Sequence, residues 1–110
     1  MIIATPVLDD NGKESRISAH FGHNPLFAIC DTTKNEVRIV NIGEHGEGCT
    51  PVEGLKKYSP DAVFTTGIGG RAMDMLRESG MPIKTGRFTT VGEVMKNINS
   101  LDELKEGCGH

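Results

Sequence analysis

Tryptophan is absent from this 110-residue chain, tyrosine occurs once, and aromatic residues make up only 5% of it. Any core must be built from aliphatic side chains and four phenylalanines. No stretch approaches the ~20 consecutive apolar residues that a membrane-spanning helix needs. The opening Met1-Ile2-Ile3-Ala4-Thr5-Pro6 lacks the basic start and longer apolar run of a secretion signal. The expectation is a cytoplasmic protein with no membrane partner. Excess positive charge is missing too. A formal net charge of −3 argues against nucleic-acid binding, which draws on clustered Lys and Arg. Cys30, Cys49 and Cys108 are odd in number and widely spaced, which excludes a full disulfide framework and a CxxC redox pair. In a reducing compartment each is a thiol, serving either as packing or as a soft ligand.

What is present fits a single domain over residues 1–110. A chain of this length buries roughly 65% of the surface its unfolded form exposes, enough for a core without staples. Apolar runs at about Ile2–Val7, Leu26–Cys30 and Val37–Ile42 read as strands, the last two joined by the polar turn Asp31–Asn35 as a hairpin. Thr50-Pro51-Val52-Glu53 combines an N-cap, a proline at the first helical position and a capping-box Glu, opening a helix to about Tyr58. Ala62–Thr66 reads as a buried strand, about Arg71–Ser79 as a helix stopped by Gly80, and Met81–Thr85 as a fifth strand. Thr90-Val91-Gly92-Glu93 starts a third helix with Val91, Val94, Met95 and Ile98 as its apolar stripe. Ser100-Leu101-Asp102-Glu103 resembles another capping box and predicts a final turn or short helix, with a flexible tail over about residues 100–110.

The order β-β-β-α-β-α-β-α implies an α/β fold with a mixed sheet and helices on both faces. If the second strand is antiparallel to the first and the third, then strands one, three, four and five point the same way. Their carboxyl ends then lead into four loops along one edge: Ser15–Pro25, Gly43–Thr50, Thr66–Arg71 and Thr85–Thr90. Open α/β sheets bind ligands at that edge. Those loops hold three of the four histidines, together with Cys49 and a concentration of glycine and arginine.

Each motif has two readings. Gly67-Ile68-Gly69-Gly70-Arg71 joins a strand to a helix. Its glycines permit close backbone approach, and the free N–H groups of a helix start favour an anion. Equally, strand-to-helix turns need glycine for steric reasons alone. The spacing matches neither the dinucleotide fingerprint nor the P-loop, so nucleotide hydrolysis is not expected. In Ser15–His23, Ser15, Arg16, His20 and His23 offer hydroxyl, guanidinium and imidazole groups, while Phe21 is expected in the core. His20 either faces a ligand or merely caps its own loop. His45 and Cys49 place imidazole and thiol four apart before a helix, a pairing that suits zinc, copper or iron–sulfur species. Alone they cannot complete a tetrahedral site, and Cys108 and His110 are the further candidates. The alternative is an ordinary loop with a chance thiol. Cys30, inside a strand, is expected to be core. Catalysis finds less support. Cys49 with a histidine lacks an orienting third group. Asp9, Asp10 and Asp31 occupy turn positions where Asp is common, and Asp61 follows Pro60 just before a strand.

Three stretches resemble the nitrogenase iron–molybdenum cofactor biosynthesis proteins, also called dinitrogenase accessory factors. They are Ile2-Ile3-Ala4-Thr5-Pro6, Ser15-Arg16-Ile17-Ser18-Ala19-His20-Phe21-Gly22, and Thr66-Gly67-Ile68-Gly69-Gly70-Arg71-Ala72. The chain departs from the family pattern at Ala19, where an acidic residue is frequent, and at His23, where a basic one is. The resemblance implies a ribonuclease-H-like, three-layer α/β/α domain with a five-stranded mixed sheet whose second strand is antiparallel. It implies a binding or carrier role, not catalysis, for an iron–sulfur or molybdenum-containing cluster. Ser15, Arg16, His20, Gly67, Gly69, Gly70 and Arg71 become the candidate ligand face, and His20, His45, Cys49 and Cys108 the candidate metal donors. The implied partners are the cluster itself and cluster donor or acceptor proteins, with the chain a monomer or homodimer. Two alternatives stay open: a small-molecule binder or enzyme using the same cradle for phosphate or carboxylate, and an interaction module with no ligand.

Overall fold

The computed structural model describes residues 1–19, 21, 25–42, 51–68 and 70–104, with residues 51–53 and 71 described by their backbone alone. The elements run β1 (Ile2–Pro6), β2 (Leu26–Asp31), β3 (Glu36–Asn41), α1 (Pro51–Lys56), β4 (Ala62–Phe64), α2 (Gly70–Glu78), β5 (Ile83–Thr85), α3 (Val91–Lys96) and β6 (Asp102–Glu103). Their spatial order in the sheet is β3-β2-β1-β4-β5-β6. β2 is antiparallel to both β1 and β3, while β1, β4 and β5 are mutually parallel. Strands β1, β3, β4 and β5 therefore share one direction, and their carboxyl ends share one edge, as the strand order predicts.

Local chemistry accounts for most of these elements. The β2–β3 hairpin pairs from Leu26↔Asn41 to Asp31↔Glu36. Its turn is held by Asp31, whose Oδ1 accepts from the N–H groups of Thr33 and Lys34 at 3.0 and 3.2 Å. Asn35 takes the left-handed conformation, φ 55°, that asparagine tolerates better than most residues. Helix α2 ends in a Schellman motif. Gly80 at φ 72° bonds back to the Arg77 carbonyl, and the Met81 N–H reaches the Leu76 carbonyl.

Strand alternation sorts the core onto two faces. Ala4, Phe27, Val40, Val63 and Ile83 face one way and pack against Leu55 of α1 and Met73 and Leu76 of α2. Ile3, Val7, Ala28, Cys30, Ala62 and Phe64 face the other way, against Val91 and Val94 of α3. Helices thus cover both faces of the sheet. Cys30 is fully buried, as expected, and burial pushes its thiol up to about 12. It is packing and has no access to the thiolate form at neutral pH.

The expectation fails at the end of the described chain. Ser100–Glu103 opens no helix, and the loose tail does not begin at residue 100. Ile98–Ser100 makes one 3-10 turn, and Asp102–Glu103 then pairs with Lys84–Thr85 as a sixth, antiparallel edge strand. The Leu104 N–H continues the ladder to the Ile83 carbonyl at 2.9 Å. Without β6, one side of β5 would present unpaired N–H and C=O groups. Satisfying them outweighs the weak local signal of a capping box, so the sheet has six strands among the described residues, not five.

Candidate functional site at the carboxyl edge

Three of the four predicted loops are hydrogen-bonded to one another. Past β1, the segment Arg16-Ile17-Ser18 turns back alongside the strand's continuation. Ser18 N–H donates to the Pro6 carbonyl at 2.8 Å, and Leu8 N–H to the Arg16 carbonyl at 2.8 Å. On its other side the same segment meets the loop after β5. Ile17 N–H donates to the Thr89 carbonyl at 2.9 Å, and Val91 N–H to the Ser15 carbonyl at 3.1 Å. Antiparallel bridges Val7↔Ile17 and Arg16↔Thr90 complete this small ribbon. Further on, Phe21 N–H reaches the Gly67 carbonyl at 3.3 Å and ties the first loop to the glycine turn after β4. Buried Thr65 stiffens that turn. Its hydroxyl donates to the Gly67 carbonyl at 2.8 Å and accepts from the Gly67 N–H at 3.3 Å.

Phe21 anchors the whole arrangement. Its ring is fully buried and meets Phe27 edge-on with centroids 5.2 Å apart. Such a pair contributes about 0.5–1.5 kcal/mol beyond burial alone. The loop between Ser18 and Phe21 is therefore pinned at both ends.

The candidate ligand residues have distinct placements. Arg16 is exposed beside the ribbon. Ser15 is fully buried, and its hydroxyl accepts from the Asn11 N–H at 2.7 Å. It braces the 3-10 turn Gly12–Glu14, a structural duty the sequence does not announce. Gly67 is buried with its N–H engaged, whereas Gly70 is exposed at the start of α2. Among the described residues, a Cβ at Gly70 would meet nothing within 4 Å at the start of this nine-residue helix. The first turn of α2 carries no acidic residue, and its dipole favours negative charge there. Arg71 is its second residue. His20, Gly69, His45, Cys49 and Cys108 lie outside the described residues, as do His23, His110 and the Gly43–Thr50 loop.

The backbone ladder between Arg16-Ile17 and Thr89-Thr90 was missed by sequence reasoning. The one signal was the polar–apolar–polar alternation Arg16-Ile17-Ser18, too short to read as a strand. Thr90 acts as the predicted N-cap of α3, its hydroxyl accepting from the Glu93 N–H. Glu93 Oε1 in turn accepts from the hydroxyls of Thr89 at 2.8 Å and Thr90 at 3.2 Å. These bonds, Thr89's first, hold the Glu93 carboxyl below its ordinary pKa.

Charge at this edge has one sign among the three described loops. Ser15–Ala19 and Thr85–Thr90 carry one arginine each, and neither they nor Thr65–Ile68 contain aspartate or glutamate. Among the described residues no three His, Cys, Asp or Glu side chains come together as a metal-holding group. What the described part of the edge offers is cationic side chains and a helix start, which stabilise an anion without chelating it.

Comparisons with known proteins agree with this architecture. A protein named PH0822 superposes with a TM-score of 0.79 at 27% identity, over 94% of each chain. A NifB-like protein from Thermotoga, assigned to the DUF35 family, gives 0.77 at 23% identity, over 96% of this chain and 98% of that one. The apo form of the orange protein from Desulfovibrio gigas gives 0.80 at 19% identity, over 94% and 92%. The last two likenesses speak for the fold alone. Among curated proteins no sequence matches. No helix among the described residues is long and apolar enough to cross a membrane. The family description "dinitrogenase iron-molybdenum cofactor" matches residues 1–101, nearly the whole length, and the chain belongs to that family.

Proposed function

We propose that this protein is a cytoplasmic binder and carrier of an anionic metal–sulfur cluster, iron–sulfur or molybdenum-containing, seated at the carboxyl edge of the sheet. The observation that carries the reading is the mutual hydrogen bonding of three loops at that edge, beside the start of α2 and with no aspartate or glutamate within Ser15–Pro25, Thr66–Arg71 and Thr85–Thr90. Family membership favours an iron–sulfur or molybdenum-containing guest. A sulfide-rich cluster bears negative charge over a large surface. Backbone N–H groups and guanidinium groups meet such charge with hydrogen bonds about twice as strong as neutral ones.

The residues fit a cargo better than a resident group. Arg16, the α2 start with Gly70 and Arg71, and one or two donors from His20, His45, Cys49 and Cys108 would hold the guest. Few covalent ligands keep release accessible, as a protein that passes its cargo to a recipient requires. The cluster brings its own redox and ligand-exchange chemistry. The chain's part is to bind, orient and shield it, without catalysing a reaction.

Anaerobic reconstitution with iron and sulfide, with and without tetrathiomolybdate, tests the proposal. The expected result is a visible chromophore that stays with the protein through gel filtration, with metal and sulfide in fixed ratio. No retained chromophore under any of these conditions overturns it. Thermal stabilisation by phosphorylated metabolites and not by clusters would favour a small-molecule site at the same edge.

A further inference from the structure

We propose that Arg87 is a further guest-binding residue, working with Arg16 as a two-armed clamp that selects a multiply charged anion. The inference rests on the cluster-binding reading and extends it to the loop after β5, where Arg87 has not yet been given a role.

The loop after β5 is folded tightly around Arg87. On its far side, the Phe88 ring turns inward against Phe64, centroids 6.1 Å apart. On its near side, Gly86 lies under that ring so closely that a Cβ there would stand 2.7 Å from Phe88 Cε2. Residues 86 and 88 are thus locked against each other and the core, and Arg87 between them is exposed. Three residues later, Thr90 bridges directly to Arg16. Bridged antiparallel neighbours have Cα atoms about 5 Å apart, and three residues span at most about 10 Å. The two arginine backbones are therefore within roughly 15 Å of each other, and two long side chains can meet a guest between them.

Neither guanidinium has an ion-pair partner among the described residues. The segments Ser15–Ala19 and Thr85–Thr90 that carry them hold no acid; the nearest acids along the chain are Glu14, just before Ser15, and Glu93, whose Oε1 accepts from Thr89 and Thr90. The backbone ladder thus keeps two like charges near one another, neither of them ion-paired among the described residues. A guest of charge −2 or more relieves that repulsion and meets both forks, whereas a monoanion satisfies only one. This makes charge the selective property, and sets Arg87 apart from the α2 start, which would take any anion.

The test uses the full chain and tetrathiomolybdate, a dianion with its own absorption, titrated anaerobically in parallel with iron–sulfide reconstitution. Arg87→Ala should weaken binding about tenfold, and Arg87→Lys by less. Arg16→Ala should do the same, and either substitution should flatten the dependence on salt. The thermal midpoint should not move, because Arg87 is exposed; Arg87→Gln serves as a second removal of charge with the side-chain length largely kept. If the wild type binds and both Arg87→Ala and Arg87→Gln bind equally well, the clamp is wrong and the cluster reading stands. If the wild type retains neither thiomolybdate nor a cluster, both fall together.

Discussion

The two edges of this sheet use their polar groups in opposite ways. At the amino edge, side chains hold the backbone. Asp61 Oδ2 accepts from the Ile2 N–H at 2.7 Å, Asp31 Oδ1 closes the hairpin turn, and the Thr33 hydroxyl accepts from the chain's amino terminus at 3.2 Å. At the carboxyl edge, the loops are held chiefly by backbone-to-backbone bonds and by the buried Phe21 ring. An edge whose carboxylates are committed to its own N–H groups has little left to offer a guest. An edge stitched largely by its backbone can present arginine and a helix start to a guest. The same fold thus builds one end held largely by side chains and one held largely by its backbone.

The largest test of this contrast is Phe21→Ala. Removing a fully buried phenylalanine typically costs about 3–5 kcal/mol, and here the ring anchors the residue whose N–H ties its loop to the Gly67 turn. Urea unfolding should show a loss in that range, and amide exchange should rise at the carboxyl edge more than in the β2–β3 hairpin. Uniform loosening of both edges would mean that Phe21 is only core.

Two glycines on helices sharpen the point at smaller cost. Gly54 of α1 sits so close to the end of β3 that a Cβ would stand 2.9 Å from Ile42 Cβ, an atom fixed to the backbone. Gly54→Ala should therefore destabilise by about 1–3 kcal/mol, despite the better helix propensity of alanine. At the start of α2, Gly70→Ala meets no neighbour among the described residues and should be neutral or stabilising by up to about 1 kcal/mol. Chemical denaturation of both variants checks the pair. Equal losses would show that the α2 start is packed after all. At the amino edge, Asp61→Ala removes the acceptor from the Ile2 N–H and should cost about 1 kcal/mol, with thiomolybdate binding unchanged. A binding defect there would erase the distinction between the edges.

How much of this was readable beforehand follows from the range of the interactions. Thr90-Val91-Gly92-Glu93 announces its own helix because cap and capped groups lie within four residues. The Asp31–Asn35 turn is equally local, and strand direction follows from chain order. The ribbon that joins Arg16 to Thr90 depends on residues more than seventy positions apart and leaves no local trace. Ser15 looked like a ligand because a hydroxyl beside an arginine is a familiar anion contact, yet the short turn at Gly12–Glu14 consumes it. Asp102–Glu103 became a strand only because β5 had a side to offer. Legibility was therefore good for the sheet's frame and partial for its carboxyl edge, where tertiary pairing decides which side chains are free.

Glu93 gives the smallest effect and the one most specific to the carboxyl edge. Its carboxylate accepts from Thr89 and Thr90, and the folded pKa lies below the ordinary value of 4.5. In the unfolded chain those bonds are lost and the pKa returns toward 4.5. The unfolded state thus binds the proton more tightly. The stabilisation is fully present above pH ~4.5 and disappears as pH falls through the lower folded pKa. Glu93→Gln should narrow the stability difference between neutral and acidic pH, with the two proteins converging below the folded pKa. Denaturation midpoints measured from pH 7 down to about 3 provide the comparison. Parallel curves across that range would mean that the hydroxyls of Thr89 and Thr90 hold the charged and neutral forms equally, and that the start of α3 is not the charged clasp its geometry describes.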